Sequence, residues 1–150
     1  MATNHFDDRD NISNDERLLR RIHLSLIVEG QDGTAKVSTA AFRDQELSVN
    51  IESKMLEAGR TPADSLANNP NDLLVSITAR VCRANGQLVG PDPVPTEPAH
   101  GYVFGTKGKS VQRSLRDSAE WVVPSTSLSW SKIVDLKREL GISTSDSSDL

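Results

Sequence analysis

Asn71-Asp72-Leu73-Leu74-Val75-Ser76-Ile77-Thr78-Ala79-Arg80-Val81-Cys82-Arg83-Ala84-Asn85-Gly86 opens the stretch, running on to Arg116, from which the fold is read. Leu73, Val75, Ile77, Ala79 and Val81 alternate with Leu74, Ser76, Thr78, Arg80 and Cys82. Successive side chains of a strand point to opposite faces, so the pattern predicts a strand over residues 73–84 with an apolar odd face. Asn85-Gly86 tolerates positive φ and predicts a hairpin into a short return strand, residues 87–89. Gly90-Pro91 ends that strand. Pro91, Pro93, Pro95 and Pro98 then remove amide donors and fix φ, which predicts an extended surface crossing. Pro95 and Pro98 also have the P-x-x-P spacing of a polyproline ligand, although a stiff loop is the plainer reading.

A second strand is expected over residues 99–104, which include Tyr102, Val103 and Phe104. Val111, Leu115, Ala119 and Val122 recur at helical spacing and predict an amphipathic helix over residues 110–122. Further out, Leu47, Val49 and Ile51 alternate with polar residues and predict a strand. Residues 53–58 suggest one or two helical turns. Thr61-Pro62 reads as an N-cap followed by proline, with Asp64 beside the cap. Residues 23–28 and 37–42 are candidate extended segments, with a turn over residues 29–34. Trp130, Ile133, Leu136, Lys137 and Leu140 predict a helix over residues 131–140, stopped by Gly141. Asp15-Glu16 reads as the start of a short helix carrying Leu18, Leu19 and Ile22.

These elements predict an α+β fold: a small antiparallel sheet of about four strands with two or three helices packed on one face. The 150-residue length suits one domain, expected over residues 16–141. Residues 1–15 read as a disordered acidic tail and residues 142–150 as a disordered polar tail. The net charge of −4 is concentrated at the ends. Asp7, Asp8, Asp10, Asp15 and Glu16 face only Arg9 at the start, and Asp146 and Asp149 lie near the finish. The body is slightly basic, far from the strong excess of a dedicated nucleic-acid binder. A single cysteine, Cys82, offers neither an intramolecular disulfide nor a zinc framework. No apolar run approaches the roughly 20 residues of a membrane span. The expectation is a cytoplasmic protein with no membrane association, no cofactor and no metal.

The run Arg20-Arg21-Ile22, Ser38-Thr39-Ala40-Ala41-Phe42, Leu47-Ser48-Val49 and Pro98-Ala99-His100 resembles a pattern in short uncharacterised bacterial proteins, across about residues 17–123. The resemblance implies a bacterial source and no particular activity.

The basic loop Gly105-Thr106-Lys107-Gly108-Lys109-Ser110 stands where a phosphate-binding loop would, between strand and helix. That motif needs a glycine five residues before Gly108, and Val103 occupies the position. A weaker anion site remains, with Lys107, Lys109, Ser110 and Arg113 around free helix-start amides. Arg17, Arg20 and Arg21 form a possible second basic patch for phosphate; a solvated face is the plainer reading. No catalytic residue is assigned. His23-Leu24-Ser25 resembles half of the paired motif of two-histidine phosphoesterases, but His100 is followed by Gly101-Tyr102. Arg21, Ser38-Thr39 and Glu120 faintly resemble the mono-ADP-ribosyltransferase pattern, without its Glu/Gln-x-Glu pair. The expected function is a non-catalytic interaction module whose partner is another protein. The alternative is a protein contacting phosphate or nucleic acid through residues 105–113, and the third reading is a small enzyme. A surface where Arg17, Arg20 and Arg21 join Lys107 and Lys109 would favour phosphate; a deep pocket holding His23, His100 and a carboxylate would favour the enzyme.

Overall fold

In the computed structural model, residues 6–126 and 128–143 are described. In chain order the strands are β1 (Arg17–Ile22), β2 (Ile27–Glu29), β3 (Ala35–Val37), β4 (Glu46–Ile51), β5 (Leu73–Thr78), β6 (Leu88–Pro91), β7 (His100–Phe104) and β8 (Glu120–Val123). The α-helices are α1 (Glu52–Glu57), α2 (Ala79–Ala84), α3 (Lys109–Ser118) and α4 (Trp130–Glu139). Six strands form one antiparallel sheet in the order β6-β7-β4-β1-β5-β8, and β2-β3 is a separate hairpin. The α+β class holds, with two more strands in the main sheet than expected.

Arg17–Ile22 is a central strand where a helix start was expected. It pairs with β5 from Arg17 opposite Thr78 to Ile22 opposite Leu73. Leu18 and Ile22 face one side and Leu19 the other, and all three are buried. A strand covered on both faces loses the alternation that would identify it, and Leu18, Leu19 and Ile22 then imitate helical spacing.

The main core lies on the face of Leu18, Leu47, Val49, Ile51, Val75 and Ile77. Leu115 of α3, Ile133 of α4 and Phe42 complete it, with Phe42 in the short 3-10 turn Thr39–Phe42. The opposite face carries a smaller cluster of Leu19, Met55, Leu66, Leu74 and Ala99. Helices therefore pack on both faces rather than one, because Met55 brings α1 to the second.

The strand expected to reach residue 84 stops at Thr78. Its hydroxyl accepts a hydrogen bond from Val81 N (3.3 Å) and caps α2. At the other end Gly86 takes φ +76°, Gly86 N donates to Arg83 O (3.0 Å) and Gln87 N to Cys82 O (3.0 Å). This double bond is a helix-ending Schellman motif, so Asn85-Gly86 closes a helix and is not a hairpin turn. The return strand β6 consequently pairs with β7 and not with β5. Gly90 on β6 lies opposite Tyr102, and a Cβ there would stand 2.3 Å from the Tyr102 hydroxyl. The glycine is what lets this buried ring cross the strand.

The proline-rich crossing folds back on itself. Val94 N donates to Glu97 O (3.2 Å) and Glu97 N to Val94 O (3.0 Å), which puts Pro95 in a tight turn and not in an extended ligand. The expected helix over 110–122 ends at Ser118, and Val122 belongs to the edge strand β8. The helix expected near the end is α4, followed by Gly141 at φ +71°.

Residues 6–15 require a correction to the expected tail. Ile12 is buried in the main core, Phe6 stacks on Phe104 at 4.4 Å between centroids and meets Tyr102 edge-on. Arg9 N donates to Val89 O (2.9 Å), and the Asp8 carboxylate takes hydrogen bonds from Val89 N and Arg83 Nε. Two apolar anchors hold a segment whose composition is otherwise polar, so composition alone misjudges it. At the other end Ile142 packs against the main core. The rest of the expected tails, residues 1–5 and 144–150, lies outside the described residues.

Candidate functional site

Tertiary structure takes Lys107 out of the anion site expected in the basic loop. Lys107 is buried, and its ammonium donates to Gln45 O (3.0 Å), Val103 O (2.8 Å) and Gly105 O (3.1 Å). A cation whose donors all point into backbone carbonyls has none left for a ligand. Burial lowers its pKa to about 8. Lys109 Nζ donates to Thr39 Oγ1 (2.8 Å), while Ser110 and Arg113 remain exposed along α3. The helix N-cap is Gly108, not Ser110.

The second basic patch is likewise divided. Arg17 pairs with Glu52 (3.1 Å) and Arg21 with Asp72 (3.1 Å) on one face of the sheet. Arg20 lies on the other. Its Nε donates to Ala41 O (3.2 Å) and its Nη1 to Ser48 O (3.1 Å), so it ties the Thr39–Phe42 turn to β4. Burial holds its pKa below the usual arginine value, although Asp44 opposes the shift. Alternation along β1 separates what adjacency in sequence had joined.

What the fold does assemble is a groove of about 630 Å³ on the smaller-core face. Its floor is Leu19 and Arg21 of β1, Ser48 and Asn50 of β4 and His100 of β7. The walls are the capped turn Pro62–Leu66 with the residues that follow it to Asp72, and the Val94–Glu97 turn. Thr61 N donates to Asp64 Oδ2 (2.7 Å), which fixes the first wall; that cap was legible in the sequence. Glu97 fixes the second. Arg60 grips it with two hydrogen bonds, 2.5 and 2.8 Å, and Asn50 Nδ2 reaches both Ser65 Oγ (3.0 Å) and Glu97 Oε1 (3.4 Å). The Arg60 guanidinium holds the Glu97 carboxyl below its ordinary range, and the carboxylate raises Arg60 in turn.

His23 and His100 both line this groove, beside Asp72 and Glu97. Their partners impose opposite tautomers on the neutral rings. His100 Nδ1 lies 2.9 Å from Asp92 O; a carbonyl only accepts, so Nδ1 carries the proton and Nε2 keeps a lone pair. His23 Nδ1 accepts from Ser25 N (3.1 Å), so its proton sits on Nε2. One imidazole therefore offers an acceptor and the other a donor. Of the cations that line the groove, Arg21 pairs with Asp72 and Arg60 with Glu97, while Arg20, rooted on the other face, is committed to Ala41 O, Ser48 O and Asp44.

Sequence reasoning singled out both histidines and Arg21, but not Arg60, Glu97, Asn50 or Asp72. These four come from four separate segments, and no local spacing signals them. The ADP-ribosyltransferase pattern is not assembled: Arg21 lines the groove, Ser38 and Thr39 are buried under α3, and Glu120 is exposed on β8. Among the described residues no group of three or more His, Cys, Asp or Glu is placed to hold a metal ion. None of the described helices is long and apolar enough to cross a membrane. Cys82 is buried, and burial pushes its thiol up to about 12, which removes it as a nucleophile.

The fold and groove thus define a small α+β domain with a polar, charge-balanced cleft on one sheet face. No family model, curated protein or solved structure matches the chain.

Proposed function

We propose that this protein is an interaction module that receives a polar segment of a partner protein in the groove between β1, β4, β7 and the Pro62–Leu66 turn. The observation that carries the reading is the groove's own pairing. Arg21 and Arg60 are held by its carboxylates Asp72 and Glu97, and Arg20 is committed to Ala41 O, Ser48 O and Asp44, so what remains for a ligand is hydrogen bonding from Asn50, the histidines and exposed Asn68 and Asn69. Such a lining suits peptide amides and neutral polar side chains better than a phosphate chain, which needs uncommitted positive charge. A bacterial cytoplasm, implied by the resemblance and the single thiol, is the setting proposed with it.

A photo-crosslinking residue at Thr96, on the groove wall, tests this against the same residue at Arg113 on α3. In a lysate of the native host, Thr96 should give a discrete protein adduct that His100→Ala weakens, and Arg113 should give none. Adducts from Arg113 alone, or adducts indifferent to His100, would return the reading to the basic helix.

The opposite tautomers of His23 and His100 favour a second reading, an enzyme with His100 as general base and the His23 Nε2–H as a hydrogen-bond donor to the substrate. Its signature would be a pH–rate profile on a phosphodiester or ester substrate whose acid limb is lost in His100→Gln. No turnover of such substrates by the intact protein would dismiss it.

A further inference from the structure

A second concavity, of about 230 Å³, lies away from the groove, between β3, the end of α3 and the edge strand β8. Lys36, Arg116, Asp117 and Trp121 line it, with Val75 and Ala119 behind them. Arg116 is about nine-tenths buried. Its Nε donates to Asp117 Oδ1 (2.9 Å), yet its Nη1 is sealed from solvent without a hydrogen-bond partner among the described residues. A buried guanidinium nitrogen left so has lost its water without gaining a partner.

The plainer account is that Arg116 serves the last turn of α3, where a cation offsets the helix dipole. That account needs the charge near the helix end; it does not need the guanidinium drawn inward with one nitrogen unsatisfied. Nor does it explain Lys36 on the same wall, since among the described residues Asp117, already bonded to Arg116, is the only carboxylate lining the cavity. Two cations against one carboxylate leave a single positive charge beside an indole.

We propose that this cavity binds a small organic carboxylate, its anionic group between Arg116 and Lys36 and its apolar body against Trp121. Arginine meets a carboxylate through two parallel hydrogen bonds, and a slight turn of the guanidinium would give Nη1 the acceptor it lacks. The volume is below the roughly 300–1,000 Å³ typical of pockets for larger ligands, which restricts the occupant to one ring or a short chain. The site is independent of the groove and of the function proposed for it.

The probe is benzoate at constant ionic strength, read by Trp121 emission in full-length protein carrying Trp130→Phe, which leaves Trp121 the only indole. Neutral benzamide and inorganic phosphate are the comparisons. Benzoate should give a saturable change and raise Tm, benzamide neither. Arg116→Met should weaken benzoate by about tenfold or more, the cost of one charged bidentate contact. Lys36→Gln, which leaves α3 untouched, should weaken benzoate several-fold and keeps the test decisive if Arg116→Met does not fold. Any of three results overturns the proposal: no saturable response to benzoate, an equal response to benzamide, or phosphate binding in preference to benzoate. Benzoate binding unchanged in Lys36→Gln and Arg116→Met would do the same.

Discussion

Lys107 Nζ donates to the carbonyl oxygen of Val103 at 2.8 Å, inside the protein. The residue that reads most plainly as a solvent-facing, phosphate-seeking lysine is thus a structural clamp. It joins the loop before α3 to β7 and to the residue preceding β4.

This relationship reverses what charge substitution should do in the loop. Lys107→Glu would place a carboxylate against three carbonyl oxygens and is expected to cost more than about 3 kcal/mol, enough to leave much of the protein unfolded. Lys109→Glu, at an exposed position, should cost less than Lys107→Glu, by a factor of about two or more. Urea titrations of the two variants check this; equal, small effects would put Lys107 back in solvent.

The segment before β1 should matter to stability. Ile12→Ala removes a core side chain and is expected to cost about 2–4 kcal/mol. Removing residues 1–14 should cost at least as much, because it also deletes the Phe6 ring contacts and the Asp8–Arg83 pair. Thermal melts of the truncated and full chains decide it. Coincident melts would mean the segment rides on the surface without contributing.

Glu97 gives a pH dependence of known sign. Its carboxyl is held low in the folded state by Arg60 and by Ala99 N, so folding favours its ionised form. The stabilisation is complete above the unfolded glutamate pKa, near 4.3, and is lost as pH falls through the lower folded value. Glu97→Gln should therefore be less stable than the parent at pH 7, by about 1–3 kcal/mol for a charged bidentate contact. The gap should close at the acid end. A gap that is constant with pH would assign it to shape and not to charge.

Neighbours on β5 should differ according to role. Ile77→Ala empties a core position and should cost about 2–5 kcal/mol. Thr78→Ala removes the α2 cap and should cost about 1 kcal/mol. Val81→Thr, on the strand reading a change on the buried face, should be mild, since Val81 is only partly buried on α2. Denaturant midpoints for the three variants rank them; a Val81 effect as large as that of Ile77 would restore the long strand.

Local signals sufficed where one face of an element was wet or a terminus carried its own chemistry. The alternation of Leu47, Val49 and Ile51, the Thr61-Pro62 cap with Asp64, the helix through Trp130 and Ile133 and its stop at Gly141 are all legible residue by residue. Each rests on interactions within a few positions of chain. Tertiary structure alone decided the rest. Leu18 and Leu19 are both buried because layers cover both sides of β1, which erases the period of a strand. Asn85-Gly86 can close a helix or a hairpin with the same φ, and burial of Ala79 and Cys82 under the main core selects the helix. Lys107 turns inward because Gln45 O from a distant segment joins the carbonyls of Val103 and Gly105 there, Arg20 because Ala41 O and Ser48 O meet it, and the groove exists only where Arg21, Asn50, Arg60, Glu97 and His100 are brought together by the tertiary fold.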